Sequence, residues 1–365
     1  MIPREVYERT LRQFFSPIVP FLDDESVTEI MINGPSEIII EQRGKLSTTD
    51  ARFVDEDELL AAIRHLGQFV GRRVDRQQPI LEARFPDGSR VEAVLPPASP
   101  DGPHVAIRRF AKETLTVERL IGFGALTIEA AQLLDGLVAC KQNIIVAGGT
   151  GSGKTSMLNA LSSYIGDGER IVVIEDAREL QLQSAHVVQF EAQAADVRGK
   201  GRVSIRDLFK ATLRLRPDRI VVGEIRGGEA LELIQAMTSG HGGCMSTVHA
   251  TYPKDTLSRL ETMALMSDVD LPMRALRSQV SSAIDIIVQT ARLSDGSRAV
   301  THIAEVVGLD EQNRYEVCEL YRRTIHGKDT EGRLITSLDA TGIRPQCWEQ
   351  MVALGVAPGS TSNDG

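Results

Sequence analysis

Aromatic residues make up only 4% of this chain of 365, so stacking platforms of the kind that line single-strand nucleic-acid grooves are not expected. Excess positive charge is missing as well. The formal net charge is −9, the sequence pI is near 5.4, and no dense basic stripe is interleaved with aromatics, which speaks against a dedicated DNA or RNA binder. The four cysteines, Cys140, Cys244, Cys318 and Cys347, contain no Cys-x-x-Cys pair. A zinc ribbon and a disulfide framework both lack their sequence basis, and a reducing cytoplasm fits. No uninterrupted apolar run is long enough to cross a bilayer as a helix, and Met1-Ile-Pro-Arg-Glu5 is not a charged start followed by an apolar core. Membrane contact is therefore expected to go through partners, without direct insertion. With 42% hydrophobic and 25% charged residues, the chain has an ordinary globular composition and the length for two domains.

What is present is a phosphate-binding loop. The apolar run Asn143-Ile-Ile-Val-Ala147 empties into Gly148-Gly149-Thr150-Gly151-Ser152-Gly153-Lys154-Thr155, the pattern in which glycine-permitted turns aim successive N–H groups at phosphate oxygens. A helix starting near Lys154 adds its positive end. Lys154 supplies an ammonium for the β- and γ-phosphates, and the Thr155 hydroxyl suits one position around Mg²⁺. A nucleoside triphosphate, ATP with Mg²⁺, is the expected ligand.

The rest of the chain falls into two parts. Residues 1–115 read as a small α+β domain, with strand-like Glu29-Ile-Met-Ile-Asn33, Glu37-Ile-Ile-Ile-Glu41 and Arg90-Val-Glu-Ala-Val-Leu95, a helix near Asp55 to Phe69, and turn signals at Asn33-Gly-Pro35, Arg43-Gly44 and Pro86-Asp-Gly88. The stretch from Phe110 to Thr127 carries Gly122 and Gly124 and reads as a connector, with the linker at 116–126. From 127 to 325 apolar strands (Ile144–Ala147, Ile171–Ile174, Ile220–Val222) alternate with helices (154–164, 204–213), which predicts an α/β domain with a parallel sheet between helices. Residues 254–293 read as largely helical, and 326–365 as a tail whose last residues are disordered.

In such a sheet, chemistry collects at the carboxyl ends of the strands. The strand Arg219-Ile-Val-Val-Gly delivers Glu224, the expected metal-side carboxylate, and Arg170-Ile-Val-Val-Ile delivers Glu175-Asp176, of which Glu175 is the expected general base. The segment Gly240-His241-Gly-Gly243 to Ser246-Thr-Val-His249 is placed to read the γ-phosphate, although an isolated histidine is often a packing residue. Arginines that could approach the phosphates include Arg90, Arg108 and Arg109 in the first domain and Arg214, Arg216 and Arg226 around the Glu224 strand.

Four segments together resemble the Walker A, Asp, Walker B and His boxes of the secretion-ATPase superfamily. They are Gly148 to Thr155, Glu175-Asp-Ala-Arg-Glu179-Leu-Gln-Leu182, Arg216 to Gly227, and Thr238-Ser-Gly-His241 to Thr247-Val-His249-Ala250. Asp87-Gly-Ser-Arg-Val91, Asp101-Gly-Pro103, Ile107-Arg-Arg-Phe110, Ser258-Arg-Leu-Glu-Thr-Met263 and Leu293-Ser-Asp-Gly-Ser297 are similar to the tight-adherence (Tad) pilus branch, the CpaF-type ATPases, over about Leu22 to Val356. The pattern departs from the family at Arg178, at Cys244 to Ser246 and at Thr251-Tyr-Pro-Lys254. The resemblance implies a RecA-like ATPase domain with a helical C-terminal part, joined to the small N-terminal domain. It further implies a homo-hexamer in the cytoplasm that turns ATP hydrolysis into work on inner-membrane platform proteins of a pilus or secretion system. The family roles fall on Lys154 and Thr155 for phosphate and Mg²⁺, Glu175 as base, Glu224 as Walker B acid, and His241 and His249 in the His box. Arg90, Arg108 and Arg109 are the implied nucleotide contacts of the first domain. Docking through the long N-terminal extension that many members carry is not expected, since the resemblance begins close to Met1. A type IV secretion traffic ATPase, a RecA-like nucleic-acid motor and a nucleotide-gated scaffold are the competing readings.

Overall fold

The computed structural model describes residues 4–42, 44–110, 115–195, 199–269 and 271–359. The chain divides into two compact units, Met1–Glu113 with Ala194–Arg202, and Thr114–Gln193 with Val203–Gly365.

The first unit holds helices α1 (Arg4–Phe14) and α2 (Val19–Asp23), strands β1 (Val27–Asn33), β2 (Ile38–Gln42) and β3 (Lys45–Thr48), helix α3 (Glu56–Phe69), and strands β4 (Ile80–Arg84), β5 (Arg90–Val94) and β6 (His104–Arg108). The strands form one six-stranded sheet in the order β3-β2-β1-β6-β5-β4, antiparallel at every pairing. Alternation explains the arrangement: Ile30 and Ile32 of β1, Ile38 and Ile40 of β2, Val91 and Ala93 of β5, and Val105 and Ile107 of β6 are buried at every second position. Helix α3 covers this face with Leu59, Ile63 and Leu66, and begins at Asp55, whose carboxylate accepts from the Glu58 N–H at 2.9 Å.

The second unit runs through α4 (Val117–Gly122), α5 (Ile128–Ala139), β7 (Ile144–Gly148), α6 (Lys154–Ser162), β8 (Ile171–Glu175), β9 (Val187–Glu191), α7 (Ile205–Thr212), β10 (Arg219–Val222), α8 (Ala230–Thr238), β11 (Met245–His249), α9 (Pro253–Ala264), α10 (Met273–Ala283), β12 (Ile286–Arg292), β13 (Arg298–Leu309), β14 (Tyr315–Lys328), β15 (Leu334–Ala340) and α11 (Trp348–Ala353). Its nine strands lie in the order β15-β14-β13-β12-β7-β11-β10-β8-β9. The six from β12 to β9 are parallel, and β13, β14 and β15 continue the sheet antiparallel. The parallel strands are apolar on both faces because both faces are covered. Ile144 and Val146 of β7 join one hydrophobic cluster with α5 and α6, whereas Ile145 and Ala147 join another with α8, α9 and α10.

Three sequence expectations need correction. Residues 254–293 are not helical throughout: after α9 and α10 the β-branched run at Ile286–Arg292 is strand β12, buried between β7 and β13. Residues 326–359 are no tail, since β14 runs to Lys328, β15 pairs with it from Leu334 to Ala340, and Met351 of α11 is fully buried. Strands with one exposed face and many polar residues conceal themselves in a hydrophobicity pattern. Residues 360–365, where disorder was expected, lie outside the described residues. Within the expected connector, residues 111–114 also lie outside them, while 117–126 fold into the second unit: Thr116 caps α4, and Val117, Leu120, Ala125 and Leu126 are buried in its core.

Candidate active site

Parallel strands in register bring their carboxyl ends to one edge of the sheet. His249 of β11 pairs with Gly148 of β7, and Thr290 of β12 pairs with Gly148 from the other side. Val222 of β10 stands beside Ile174 of β8, one residue short of Glu175. The phosphate loop, the Glu175 turn, the Glu224 turn and His249 therefore meet at one edge.

The glycines of the loop serve different ends. Gly151 and Gly153 adopt φ of +67° and +94°, which L side chains resist, and Gly153 caps the start of α6. Gly148 is required by space instead, because a Cβ there would lie 2.4 Å from Ser152 Oγ and Thr290 Oγ1. Gly149 meets neither constraint: no heavy atom lies within 4 Å of its Cβ position and its φ is not positive. Its carbonyl collects donors, accepting from Lys154 Nζ at 3.0 Å, Ser152 Oγ at 2.9 Å and Ser152 N at 3.4 Å. Lys154 and Ser152 are buried, whereas Thr150 and Gly151 are exposed.

The two glutamates of the acidic turn are held differently. Glu175 is 2% exposed, and its Oε1 accepts from the backbone N–H groups of Glu179 and Leu180 at 2.8 and 2.9 Å. Its Cγ would come within 2.9 Å of a Cβ at Gly223, so only glycine fits after β10. Glu175 thus shapes the acidic turn. The carboxylate that this turn brings to the phosphate loop is that of Glu179, whose Oε2 accepts from the Thr155 hydroxyl at 3.3 Å.

Glu224 sits between a histidine and an arginine. His249 Nε2 is 2.9 Å from Oε1, and Arg226 Nη2 and Nε donate to Oε2 at 2.6 and 2.8 Å. The same guanidinium reaches Asp176 at 3.7 Å. Lys154 Nζ lies 3.4 Å from His249 Nδ1 and 3.3 Å from Nε2, along the ring edge. Burial holds the His249 pKa below its ordinary 6.5; Lys154 and Arg226 push it the same way and Glu224 opposes them. The imidazole thus stands between the Lys154 ammonium and the Glu224 carboxylate, within ion-pair distance of the second.

Within the second unit, other expected residues are not brought here. His241 precedes β11 by four residues, which puts it at the opposite, amino edge of the sheet, where its carbonyl accepts from Cys244 Sγ at 3.0 Å. Neighbouring Gly243 packs on Arg219, whose buried guanidinium binds Glu169 through Nε at 2.8 Å and Nη2 at 3.1 Å. Arg214 and Arg216 lie just before β10 at this same edge. Arg90, Arg108 and Arg109 belong to the first unit. Arg90 and Arg108 are register partners on β5 and β6, Arg108 pairs with Glu29 at 2.7 Å, and Arg109 donates to the Phe21 carbonyl at 3.1 Å and to that of Asp24. Two residues at the edge carried no local signal: Thr290, whose hydroxyl touches the loop, and Arg298, which opens β13 and donates from Nε to the Gly151 carbonyl at 2.8 Å.

Residues 12–334 match the family described as Type II/IV secretion system protein. A putative conjugal transfer protein of Mycobacterium tuberculosis is 34% identical over 291 residues, which cover 78% of this chain and 82% of that protein. The type IV secretion system protein PtlH of Bordetella pertussis is 35% identical over 298 residues, 75% of this chain and 88% of its own. Among solved structures, the pilus retraction motor PilT with bound ADP superposes with a TM-score of 0.55 at 21% identity, covering 85% of this chain and 82% of that one. The ATPase DotB of Legionella pneumophila does so with 0.55 at 18%, covering 83% and 82%. At these identities the structural likeness concerns the fold.

Proposed function

Because the chain belongs to the type II/IV secretion system protein family, we propose that it hydrolyses ATP to power a secretion or pilus-assembly machine. One observation carries the reading: a phosphate loop with a buried lysine, a hydroxyl facing a carboxylate, and a Glu–His–Lys chain all converge at one sheet edge. A scaffold that only bound nucleotide would have no use for two further acids beside the loop.

In this reading Lys154 takes the β- and γ-phosphates and the loop N–H groups cradle them. The donors beside the loop, Thr155 hydroxyl and the Glu224 and Glu179 carboxylates, are hard oxygens of the kind Mg²⁺ prefers. Thr155 and Glu224 would hold the ion, which neutralises phosphate charge when bound. Glu179, rather than Glu175, is the carboxylate suited to orient and deprotonate water, because it faces Thr155 of the phosphate loop, whereas Glu175 is 2% exposed and turns Oε1 to two backbone donors. His249 reads the γ-phosphate through Lys154 and passes the change to Glu224. His241, at the other edge, has no part in this chemistry.

The assembly served is a Tad-type pilus, supported by the boxes around Asp87, Ile107, Ser258 and Leu293 noted above, and the working form is a homo-hexamer on inner-membrane platform proteins. The relatives at 34–35% identity favour a second reading, a type IV secretion traffic ATPase. Loss of the pilus on deletion of the gene, with conjugation and protein export intact, separates the two. Phosphate release from Mg-ATP tests the enzyme itself: turnover without nucleic acid is expected, no turnover sinks the reading, and strong stimulation by single-stranded DNA turns it toward a nucleic-acid motor. Light scattering with an ATP analogue tests the ring, which a fully active monomer would exclude.

A further inference from the structure

The phosphate loop is held from the side by a segment about 140 residues further along the chain. Thr290 of β12 is 3% exposed, and its hydroxyl donates to the carbonyl of Ala147, the last residue before the loop, at 3.0 Å. The same oxygen lies 2.9 Å from Ser152 Oγ on the far leg of the loop, and Ser152 Oγ lies 2.9 Å from the Gly149 carbonyl. With the Thr290 proton given to Ala147, the single Ser152 proton goes either to the Gly149 carbonyl or to Thr290 Oγ1, and in the second arrangement the two hydroxyls join both legs. The backbone of β12 closes the remaining space, since the Thr290 carbonyl would stand 2.5 Å from a Cβ at Gly148.

The tip of the loop is held by the other arm of the hairpin. Arg298 Nε donates to the Gly151 carbonyl at 2.8 Å, and its Cδ stands 3.7 Å from the Cβ position of Gly153. A trans peptide points its C=O and the next N–H in opposite directions. A guanidinium that draws the Gly151 carbonyl outward therefore turns the Ser152 N–H inward, where it meets the Gly149 carbonyl at 3.4 Å.

We infer that the β12–β13 hairpin is a brace that sets the shape of the phosphate loop, with Thr290 at its base and Arg298 at its tip as positioning residues for nucleotide binding. The inference rests on the nucleotide reading above. Neither residue belongs to the loop motif, and each acts on it only through loop oxygens. A loop shaped in advance loses less conformational freedom on binding a triphosphate, so the brace contributes to affinity more than to the chemical step.

The test measures fluorescent Mg-ADP affinity and phosphate release on the full-length chain. Thr290→Val keeps the shape and removes the hydroxyl, and should weaken nucleotide binding about tenfold while turnover at saturating ATP falls less. Thr290→Ser should restore affinity. Arg298→Gln, at an exposed position that does not endanger folding, should raise the dissociation constant about threefold. Thr212→Val removes a comparably buried hydroxyl from α7, where it binds the Leu208 carbonyl at 2.8 Å, and should leave affinity unchanged. Native affinity in both Thr290→Val and Arg298→Gln overturns the brace, as does an equal loss in Thr212→Val or a failure of serine to rescue. A wild-type protein that binds no nucleotide overturns the nucleotide reading itself, which is a different result.

Discussion

His249 Nε2 stands 2.9 Å from Glu224 Oε1 while the ring edge of the same imidazole faces Lys154 Nζ at 3.3–3.4 Å. One neutral ring thus connects the ammonium of the phosphate loop to the acid at the end of β10.

The titration of His249 should report this link. Its pKa lies below 6.5, through burial first and Lys154 second. Lys154→Ala should raise it toward the ordinary value, as read from the ring proton shifts by NMR. A group whose folded pKa is lowered keeps its favourable arrangement above the ordinary value and loses it as pH falls through the lowered one. Turnover should therefore be level from pH 8 to about 6.5 and decline below. An unmoved His249 titration in Lys154→Ala would break the connection.

The two glutamates of the acidic turn should fail differently. Glu179→Gln keeps the size of the side chain and removes the base, so phosphate release should drop roughly 10²–10⁴-fold with nucleotide affinity little changed. Glu175→Gln retains a carbonyl oxygen for the Glu179 and Leu180 N–H groups and should lose much less. If instead Glu175→Gln is the dead variant and Glu179→Gln turns over, the assignment of the base is reversed.

Alanine at adjacent glycines should give opposite results. At Gly148 a Cβ would overlap Ser152 and Thr290 at 2.4 Å, so Gly148→Ala should cost roughly 1–3 kcal/mol of stability and abolish nucleotide binding. Gly149→Ala meets open space and should be nearly silent in both. Thermal unfolding with nucleotide titration compares them directly.

At the other edge of the sheet, Arg219 has 1% of its side chain exposed and pairs with Glu169. Burial alone would raise the Glu169 pKa, but Arg219 and Lys141 outweigh it and hold the carboxyl below its usual 4.5. The stabilisation is present above about 4.5 and lost as pH falls through the lowered value. Arg219→Ala should cost about 3–5 kcal/mol at pH 7, because it leaves the partly buried Glu169 carboxylate with only the exposed Lys141, at 3.1 Å, as its cation. The wild-type advantage over Arg219→Ala should shrink at pH 3.5 in urea unfolding; an advantage that persists there would assign the effect to packing.

Much of the site was legible from residue types. The loop requires glycine where φ turns positive and a lysine where α6 begins, and a carboxylate following a wholly apolar strand is conspicuous, so Gly151, Gly153, Lys154 and Glu224 could be read directly. What residue types could not give was decided by distance in space. Glu175 and Glu179 look equivalent in sequence; only the turn between them determines that one faces backbone and the other Thr155. His241 and His249 share a box, yet the five residues of β11 carry them to opposite edges. Thr290 and Arg298 sit where nothing local marks them. Strands β14 and β15 escaped notice because their exposed residues dilute the hydrophobic pattern, whereas the doubly buried β7, β8 and β10 were plain.

The pairing of β7 with β11 on one side and β12 on the other also sets a schedule for biosynthesis. The strand leaves the ribosome with both neighbours still unmade, the nearer about a hundred residues behind it and the farther about 140, which at bacterial elongation rates of about 5–20 residues per second is a wait of many seconds. During that interval Ile144 to Ala147 is an unsheltered apolar segment, and the glycines after it have no Thr290 to close against. The nascent chain therefore passes through a stage that exposes a wholly apolar strand, and chaperone dependence should peak at chain lengths between the release of β7 and the release of β12.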